Sequence, residues 1–159
     1  MDRASRIRRG GVLLLSDSAV LLLRTERSWK TVRKTDLYDY KLFRFSDGRL
    51  ITLAMTDRFT GGALSKTFFD DEWHALPVSE SGHPTRPELK RPASFEQMKA
   101  MADCLGEGFP FVRVDFYESA GSLYFGEMTF YPNSGFEHFE PSEWDRTFGS
   151  WIDLKTLGS

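Results

Sequence analysis

Two short stretches in the second half of the chain carry side chains that could bind a charged ligand. Arg113 and Asp115 are two residues apart in the first stretch, and Glu127 and Thr129 are two residues apart in the second. Side chains two residues apart in a β-strand point to the same face. A guanidinium and two carboxylates on one face suit phosphate and magnesium, because Mg²⁺ favours one or two carboxylates together with substrate phosphates.

The two stretches are predicted to be the strands of one β-hairpin, 111–118 and 123–130. A three-residue loop over 120–122 would place Asp115 opposite Glu127 and Arg113 opposite Thr129. Two opposed carboxylates repel each other, so this register predicts neutralisation by Arg113 and by a divalent cation. The alternative is an ordinary salt-bridge cluster on a half-solvated sheet, and the pattern alone leaves both open.

The same register divides the other side chains of the hairpin between two faces. One face is apolar and is expected to be buried; it carries Val112, Val114, Phe116, Tyr124, Met128 and Phe130. The opposite face holds the charged group, and Phe125 is expected to lie beside it.

The elements around the hairpin predict an α+β fold in which an antiparallel sheet of β-hairpins packs against a helix. Strand-forming residues at 37–45 and 50–55 flank the turn Ser46-Asp47-Gly48, which indicates a first hairpin. Residues 57–93 are predicted to be a long irregular connection, held to the body by Phe68, Phe69 and Trp73. A helix is expected over 94–106, and a shorter one over 142–148.

Local signals support the longer helix. Ser94 and Gln97 have the spacing of a capping box at its start. Apolar residues then recur every three or four positions, which predicts one buried face; they are Phe95, Met98, Met101, Ala102 and Leu105. The shorter helix is predicted to end at Gly149.

Composition limits the function classes. The 159 residues suit a single domain, and the net charge of −2 gives no general attraction to nucleic acid. The apolar pieces near the start are split by Ser16-Asp17-Ser18, which predicts two short strands and no stable membrane insertion. A single cysteine excludes an internal disulfide and fits the cytoplasm.

Residues 109–135 read FPFVRVDFYESAGSLYFGEMTFYPNSG and resemble the TupA-like ATP-grasp family, which is associated with cell-surface polysaccharide and teichuronopeptide synthesis. The resemblance implies that Arg113 is catalytic and contacts phosphate, and that Asp115 and Glu127 are Mg²⁺ ligands. The resemblance also implies that Thr129 is the third metal ligand, at a position where ATP-grasp enzymes usually have an asparagine.

A second block, LYDYKLFRFSDGRLITLAMTDR at 37–58, is similar to the central hairpin of that fold. Asp39, Lys41 and Arg58 occupy its polar positions. The resemblance implies that Lys41 and Arg58 bind the ATP phosphates. The residues themselves leave open that Lys41 is a surface lysine and that Arg58 is a solvated loop arginine.

The resemblance implies a Mg²⁺- and ATP-dependent carboxylate–amine ligase acting on a polysaccharide precursor or an acidic peptide. It covers 37–154, with a basic segment at 1–36 and a tail at 155–159. Residues 1–36 lack a recognisable lid lysine and Gly-rich loop, so the chain is expected to correspond to the C-terminal half of such an enzyme, and a partner could supply the rest. One alternative is a non-catalytic binding or assembly module; another is a glycopolymer-binding protein using Trp73, Trp144 and Trp151.

Overall fold

The computed structural model of the chain describes residues 11–13, 20–24, 29–33, 37–57, 62–80 and 82–154. Its strands, in chain order, are β1 (Gly11–Leu13), β2 (Val20–Arg24), β3 (Trp29–Arg33), β4 (Tyr38–Phe45), β5 (Leu50–Thr56), β6 (Ser65–Phe69), β7 (Ser79–Glu80), β8 (Phe111–Ser119), β9 (Ser122–Thr129) and β10 (Phe139–Glu140). The helices are α1 (Phe95–Gly106), a 3₁₀ turn at Pro132–Gly135, and α2 (Glu143–Ser150). The predicted α+β class is confirmed.

A five-stranded antiparallel sheet, in the order β6-β5-β4-β8-β9, forms the centre of the described part of the chain. The first hairpin, β4–β5, is present as predicted. Strand β4 also pairs with β8, so the two predicted hairpins lie side by side in one sheet. This pairing brings the polar positions of the 37–58 block next to those of the 109–135 block.

Apolar side chains cover both faces of the sheet. Helix α1 packs on one face, where the buried residues of the α1-side cluster include Tyr40, Leu42, Phe69, Phe95, Met98, Ala102, Val112, Val114 and Phe116. Helix α2 and the segment before it pack on the other face, where the α2-side cluster includes Phe45, Ile51, Leu53, Phe68, Phe139, Trp144, Phe148 and Trp151. A polar side chain on the α2 side is therefore partly enclosed.

Helix α1 buries the predicted face. Phe95, Met98 and Ala102 are fully buried against the sheet. The predicted capping box is wrong: the Ser94 hydroxyl donates to the Glu118 carboxylate of β8, with an O···O distance of 2.8 Å. A long-range carboxylate has replaced the local backbone N–H as the partner of this hydroxyl.

The prediction of an irregular connection over 57–93 is wrong in part. Its residues 65–69 form β6, which pairs with β5 and extends the sheet. The expected anchors are confirmed, since Phe68 and Phe69 are fully buried and Trp73 stacks on Phe69 at 4.3 Å between ring centroids.

The predicted three-residue loop of the second hairpin is wrong. Ser119 pairs with Ser122, not with Leu123, so the turn contains only Ala120 and Gly121. Both have positive φ, 49° and 72°, as the tight turn between twisted strands requires. The loop is one residue shorter than expected, and this shifts the register of the strand pairs next to the turn by one residue.

A β-bulge restores the expected register further along. Phe116 pairs with Phe125, but Val114 pairs with Met128, so two residues of β9 lie opposite Asp115. Phe125 therefore packs on the α1 side with Phe116, and its predicted place on the charged face is wrong. The predicted burial of Tyr124 and Phe130 is also wrong, because Tyr124 is only partly buried and Phe130 is 42% exposed. Beyond the bulge, the predicted pairing of Arg113 with Thr129 is confirmed.

The ends of the described chain add smaller elements. Strands β1 and β2 pair antiparallel, as the split apolar run predicted, and β3 extends them into a separate sheet. Strand β1 lies alongside β9. Helix α2 continues through Gly149 to Ser150, so its predicted end was too early. No helix among the described residues combines the length and apolar character needed to cross a bilayer.

Candidate functional site

The pairing of β4 with β8 brings a lysine and an aspartate into direct contact on the α2 side of the sheet. Lys41 and Asp115 are cross-strand partners. The Lys41 ammonium lies 2.6 Å from Oδ2 of Asp115 and 3.3 Å from Oδ1 of Asp39. Asp39 and Lys41 are two apart in β4, so alternation puts them on one face.

Arg113 holds the same aspartate from the neighbouring position of β8. Its Nε and Nη2 donate to the two carboxylate oxygens of Asp115 at 2.7 and 2.9 Å, which is a bidentate pair. Nη2 also donates to the Thr129 hydroxyl at 3.2 Å and lies 3.5 Å from Oε1 of Glu127. One guanidinium thus contacts Asp115, Glu127 and Thr129.

The members of this cluster differ in their access to solvent. The Asp115 side chain is 1% exposed and that of Asp39 is 3% exposed. The side chains of Lys41 and Arg113 are 13% and 12% exposed, whereas that of Glu127 is 67% exposed. The buried carboxylates of Asp39 and Asp115 therefore hold the charged groups of Lys41 and Arg113, whereas the carboxylate of Glu127 is exposed to solvent.

A cleft of about 1360 Å³ borders this cluster on the side of Arg113, Glu127 and Thr129, whereas Asp39, Lys41 and Asp115 do not line it. Residues of the segment around the 3₁₀ turn and of α2 also line the cleft. Three carboxylates and two cations leave the cluster with one net negative charge. A divalent cation would reverse that charge and make the wall attractive to a polyphosphate.

The donor set fits magnesium shared with a phosphate better than magnesium held by protein alone. Carboxylate and hydroxyl oxygens are hard ligands, and Mg²⁺ commonly takes one or two carboxylates plus substrate phosphates. Among the described side chains, no group of three or more His, Cys, Asp or Glu residues is arranged to hold a metal ion. Water molecules, or the phosphate oxygens of a substrate, would have to complete the coordination.

The structure thus places five sequence-derived candidates together: Lys41, Arg113, Asp115, Glu127 and Thr129. Arg58 lies outside the described residues. Asp39 occupies a polar position of the 37–58 block but was not predicted to be a site residue. Its spacing from Lys41 was the available signal, because residues i and i+2 of a strand share a face. Gly126, inside the bulge, was also missed.

A second charged cluster lies farther along the same side of the molecule. Lys66 of β6 forms an ion pair with Glu80 of β7, which is 6% exposed. The Glu137 side chain accepts from the Asn133 side chain, and in its protonated form it can donate to the Glu80 carboxylate. Burial and the adjacent charge of Glu80 raise the pKa of Glu137, and Lys66 only partly offsets them.

The tryptophans considered for glycopolymer binding pack against the core. Trp73 belongs to the α1-side cluster, and its indole Nε1 donates to the Leu89 carbonyl at 2.9 Å. Trp144 and Trp151 pack in the α2-side cluster. Each therefore has a structural role.

Comparison with known proteins adds one finding. The family model described as TupA-like ATPgrasp matches residues 21–153, which confirms the resemblance drawn from residues 37–58 and 109–135. No curated protein and no solved structure matches the chain.

Proposed function

Because the chain belongs to the TupA-like ATPgrasp family, we propose that it is a carboxylate–amine ligase that uses Mg²⁺ and ATP. The observation that carries the proposal is the ion-pair cluster of Lys41, Arg113 and Asp115, which adjoins a large cleft with Glu127 at its wall. We place the reaction in cell-surface polysaccharide synthesis in the cytoplasm, with a polysaccharide precursor or an acidic peptide as the substrate.

In the proposed reaction, an oxygen of the substrate carboxylate attacks the γ-phosphorus of ATP, and ADP leaves. The nitrogen of an amine then attacks the acyl carbon of the acyl phosphate, losing a proton and expelling inorganic phosphate. Magnesium would supply charge neutralisation at the phosphates. The protein has to orient the phosphoryl group and stabilise the charge that develops on it.

Arg113 is suited to this second task. Its Nε and Nη2 are fixed by Asp115 and Thr129. Its Nη1 takes no part in these contacts, so it can donate to a phosphoryl oxygen from a guanidinium that is already oriented. Preorganised donors stabilise a transition state without reorganising during the reaction.

Lys41 and Glu127 would complete the phosphate end. Lys41 has three N–H donors, and the contacts to Asp39 and Asp115 leave one for a phosphate oxygen. Glu127, exposed in the cleft wall, can offer a carboxylate oxygen to a cation. Asp115 would contribute its carboxylate from the buried side.

A second candidate is a binding or assembly module that keeps the sheet without ligase turnover. One observation favours it: both Asp115 oxygens already accept hydrogen bonds from Arg113 and Lys41. A carboxylate so satisfied can be purely structural, and the cluster would then be a buried ion-pair network.

Calorimetric titration of the full chain with ATP, with and without Mg²⁺, distinguishes the two candidates. The ligase proposal expects Mg²⁺-dependent binding that weakens at least about tenfold in Glu127→Gln and Asp115→Asn. The matched control is Glu72→Gln, an exposed glutamate in the turn after β6. The proposal is lost if the wild type binds no Mg·ATP, or if both folded site variants bind it as tightly as the control.

A further inference from the structure

The pairing of β8 with β9 changes register within the candidate site. Near the turn, Phe116 pairs with Phe125; beyond Asp115, Val114 pairs with Met128. Gly126 and Glu127 therefore both lie opposite Asp115, which defines a β-bulge with its extra residue in β9.

Without the bulge, the register set by the two-residue turn would continue along the strands. Val114 would then face Glu127, and Arg113 would face Met128. Val114 is fully buried in the α1-side cluster. The carboxylate of Glu127 would enter an apolar core on the far side of the sheet from Arg113. The bulge returns Glu127 to the face that holds Arg113 and Asp115.

Gly126 is the residue whose shape permits this bulge. A Cβ atom at position 126 would lie 3.0 Å from the Asp115 carbonyl oxygen and 3.0 Å from Cε2 of Tyr117. Real Cβ contacts are rarely so short, and one of these two atoms belongs to the backbone of the partner strand. Tyr117 is 7% exposed, so its ring has little room to retreat.

We propose that Gly126 is a positioning residue of the site: the bulge that it permits sets the register that brings Glu127 beside Arg113 and Asp115, where both carboxylates can contact one divalent cation. This inference rests on the proposed function for the role of the cation. Its register component can be tested with no nucleotide present.

The test compares three variants of the full chain with the wild type: Gly126→Ala, deletion of Gly126, and Ser122→Ala as a control in the same strand. Deletion removes the extra residue, so a regular ladder would place Glu127 directly opposite Asp115 and keep Val114 opposite Met128. A register role therefore predicts opposite outcomes for substitution and deletion. A role in packing alone predicts that both changes are harmful.

The first readout is the binding of Mn²⁺, added without nucleotide. Electron paramagnetic resonance measures its affinity, and paramagnetic broadening of the Asp115 and Glu127 amide signals shows where it binds. Gly126→Ala is expected to lower Mn²⁺ affinity at least about tenfold, while the deletion variant and Ser122→Ala keep most of it. The second readout is the cross-strand nuclear Overhauser effects between Val114 and Met128, expected to be lost only in Gly126→Ala.

The inference is overturned if Gly126→Ala keeps both wild-type Mn²⁺ affinity and the Val114–Met128 contacts. It is also overturned if the folded deletion variant loses Mn²⁺ as Gly126→Ala does, or if Mn²⁺ broadens neither Asp115 nor Glu127 in the wild type. Each of these results can occur in a protein that binds Mg·ATP. Failure of nucleotide binding by the wild type would instead refute the proposed function.

Discussion

The ammonium of Lys41 lies 2.6 Å from Oδ2 of Asp115, and the two residues are direct cross-strand partners in β4 and β8. The contact joins the two sequence blocks of the candidate site. Because Asp115 is 1% exposed, its carboxylate depends on protein groups in place of water. The contact therefore affects both stability and the proposed ligand binding.

Replacement of Lys41 by methionine is expected to destabilise the fold. Removing one partner of a buried ion pair leaves charge uncompensated and costs about 3 kcal/mol. Arg113 still holds Asp115, which keeps the expected loss at the low end of such effects. Urea denaturation measures the change in the free energy of unfolding. The control is Lys90→Met, an exposed lysine expected to change stability by less than about 0.5 kcal/mol.

A double-mutant cycle separates the ion pair from the loss of the lysine stem. Lys41→Met combined with Asp115→Asn should cost less than the sum of the single changes by at least about 1 kcal/mol, because residues in one network couple. Additive costs would show that the 2.6 Å contact contributes nothing specific, and the lysine would then act only through packing.

The faces of the candidate hairpin could be predicted from the sequence because strand alternation is regular. Arg113 and Thr129 were paired correctly, although the predicted loop was one residue too long. The bulge inserts one residue into β9 and so compensates for the shorter loop. Phe125, between the turn and the bulge, was consequently assigned to the wrong face. A bulge has no periodic signature, and a glycine inside a strand was the available signal.

Other errors arose where a distant partner replaced a local one. The Ser94 hydroxyl bonds to Glu118, 24 residues away, so the local capping pattern had no predictive value. Strand β6 was missed because it is short and lies at the edge of the sheet. In the chain it stands between a glycine-containing segment and the turn at Asp70, which both indicate irregular structure. Such a strand is defined by its pairing with β5, which composition does not reveal.

Replacement of Arg113 by lysine is expected to damage the site although the charge is kept. A lysine cannot reproduce the two parallel hydrogen bonds to Asp115, and it cannot reach Thr129 at the same time. We expect a loss of about 2 kcal/mol in the free energy of unfolding and at least about tenfold weaker Mg·ATP binding.

Arg86→Lys is the matched control for that change. Arg86 is 49% exposed and contacts Asp57 at the surface, at 2.9 Å from Nη2 to Oδ2. A surface pair contributes about 1 kcal/mol or less, so this variant should resemble the wild type. Equal behaviour of Arg113→Lys and Arg86→Lys would refute a specific role for the bidentate geometry.

Glu137 is expected to make stability decrease as the pH rises. Burial, and then the charge of Glu80, raise its pKa above the ordinary value of 4.5 in the folded chain. The folded state therefore binds a proton more tightly than the unfolded state does. The resulting stabilisation is complete below 4.5 and is lost as the pH rises through the raised pKa.

Glu137→Gln removes this titration but keeps an amide that can donate to Glu80 and accept from Asn133, the two hydrogen-bond partners of Glu137. The variant should therefore gain stability relative to the wild type as the pH rises from about 4 to about 8. Urea denaturation across this range measures the difference, in which titrations common to both proteins cancel. Glu140→Gln, an exposed glutamate of the same segment, serves as the control. Parallel curves for the wild type and Glu137→Gln would refute the prediction, because they would show that the pKa of Glu137 is the same in the folded and unfolded states.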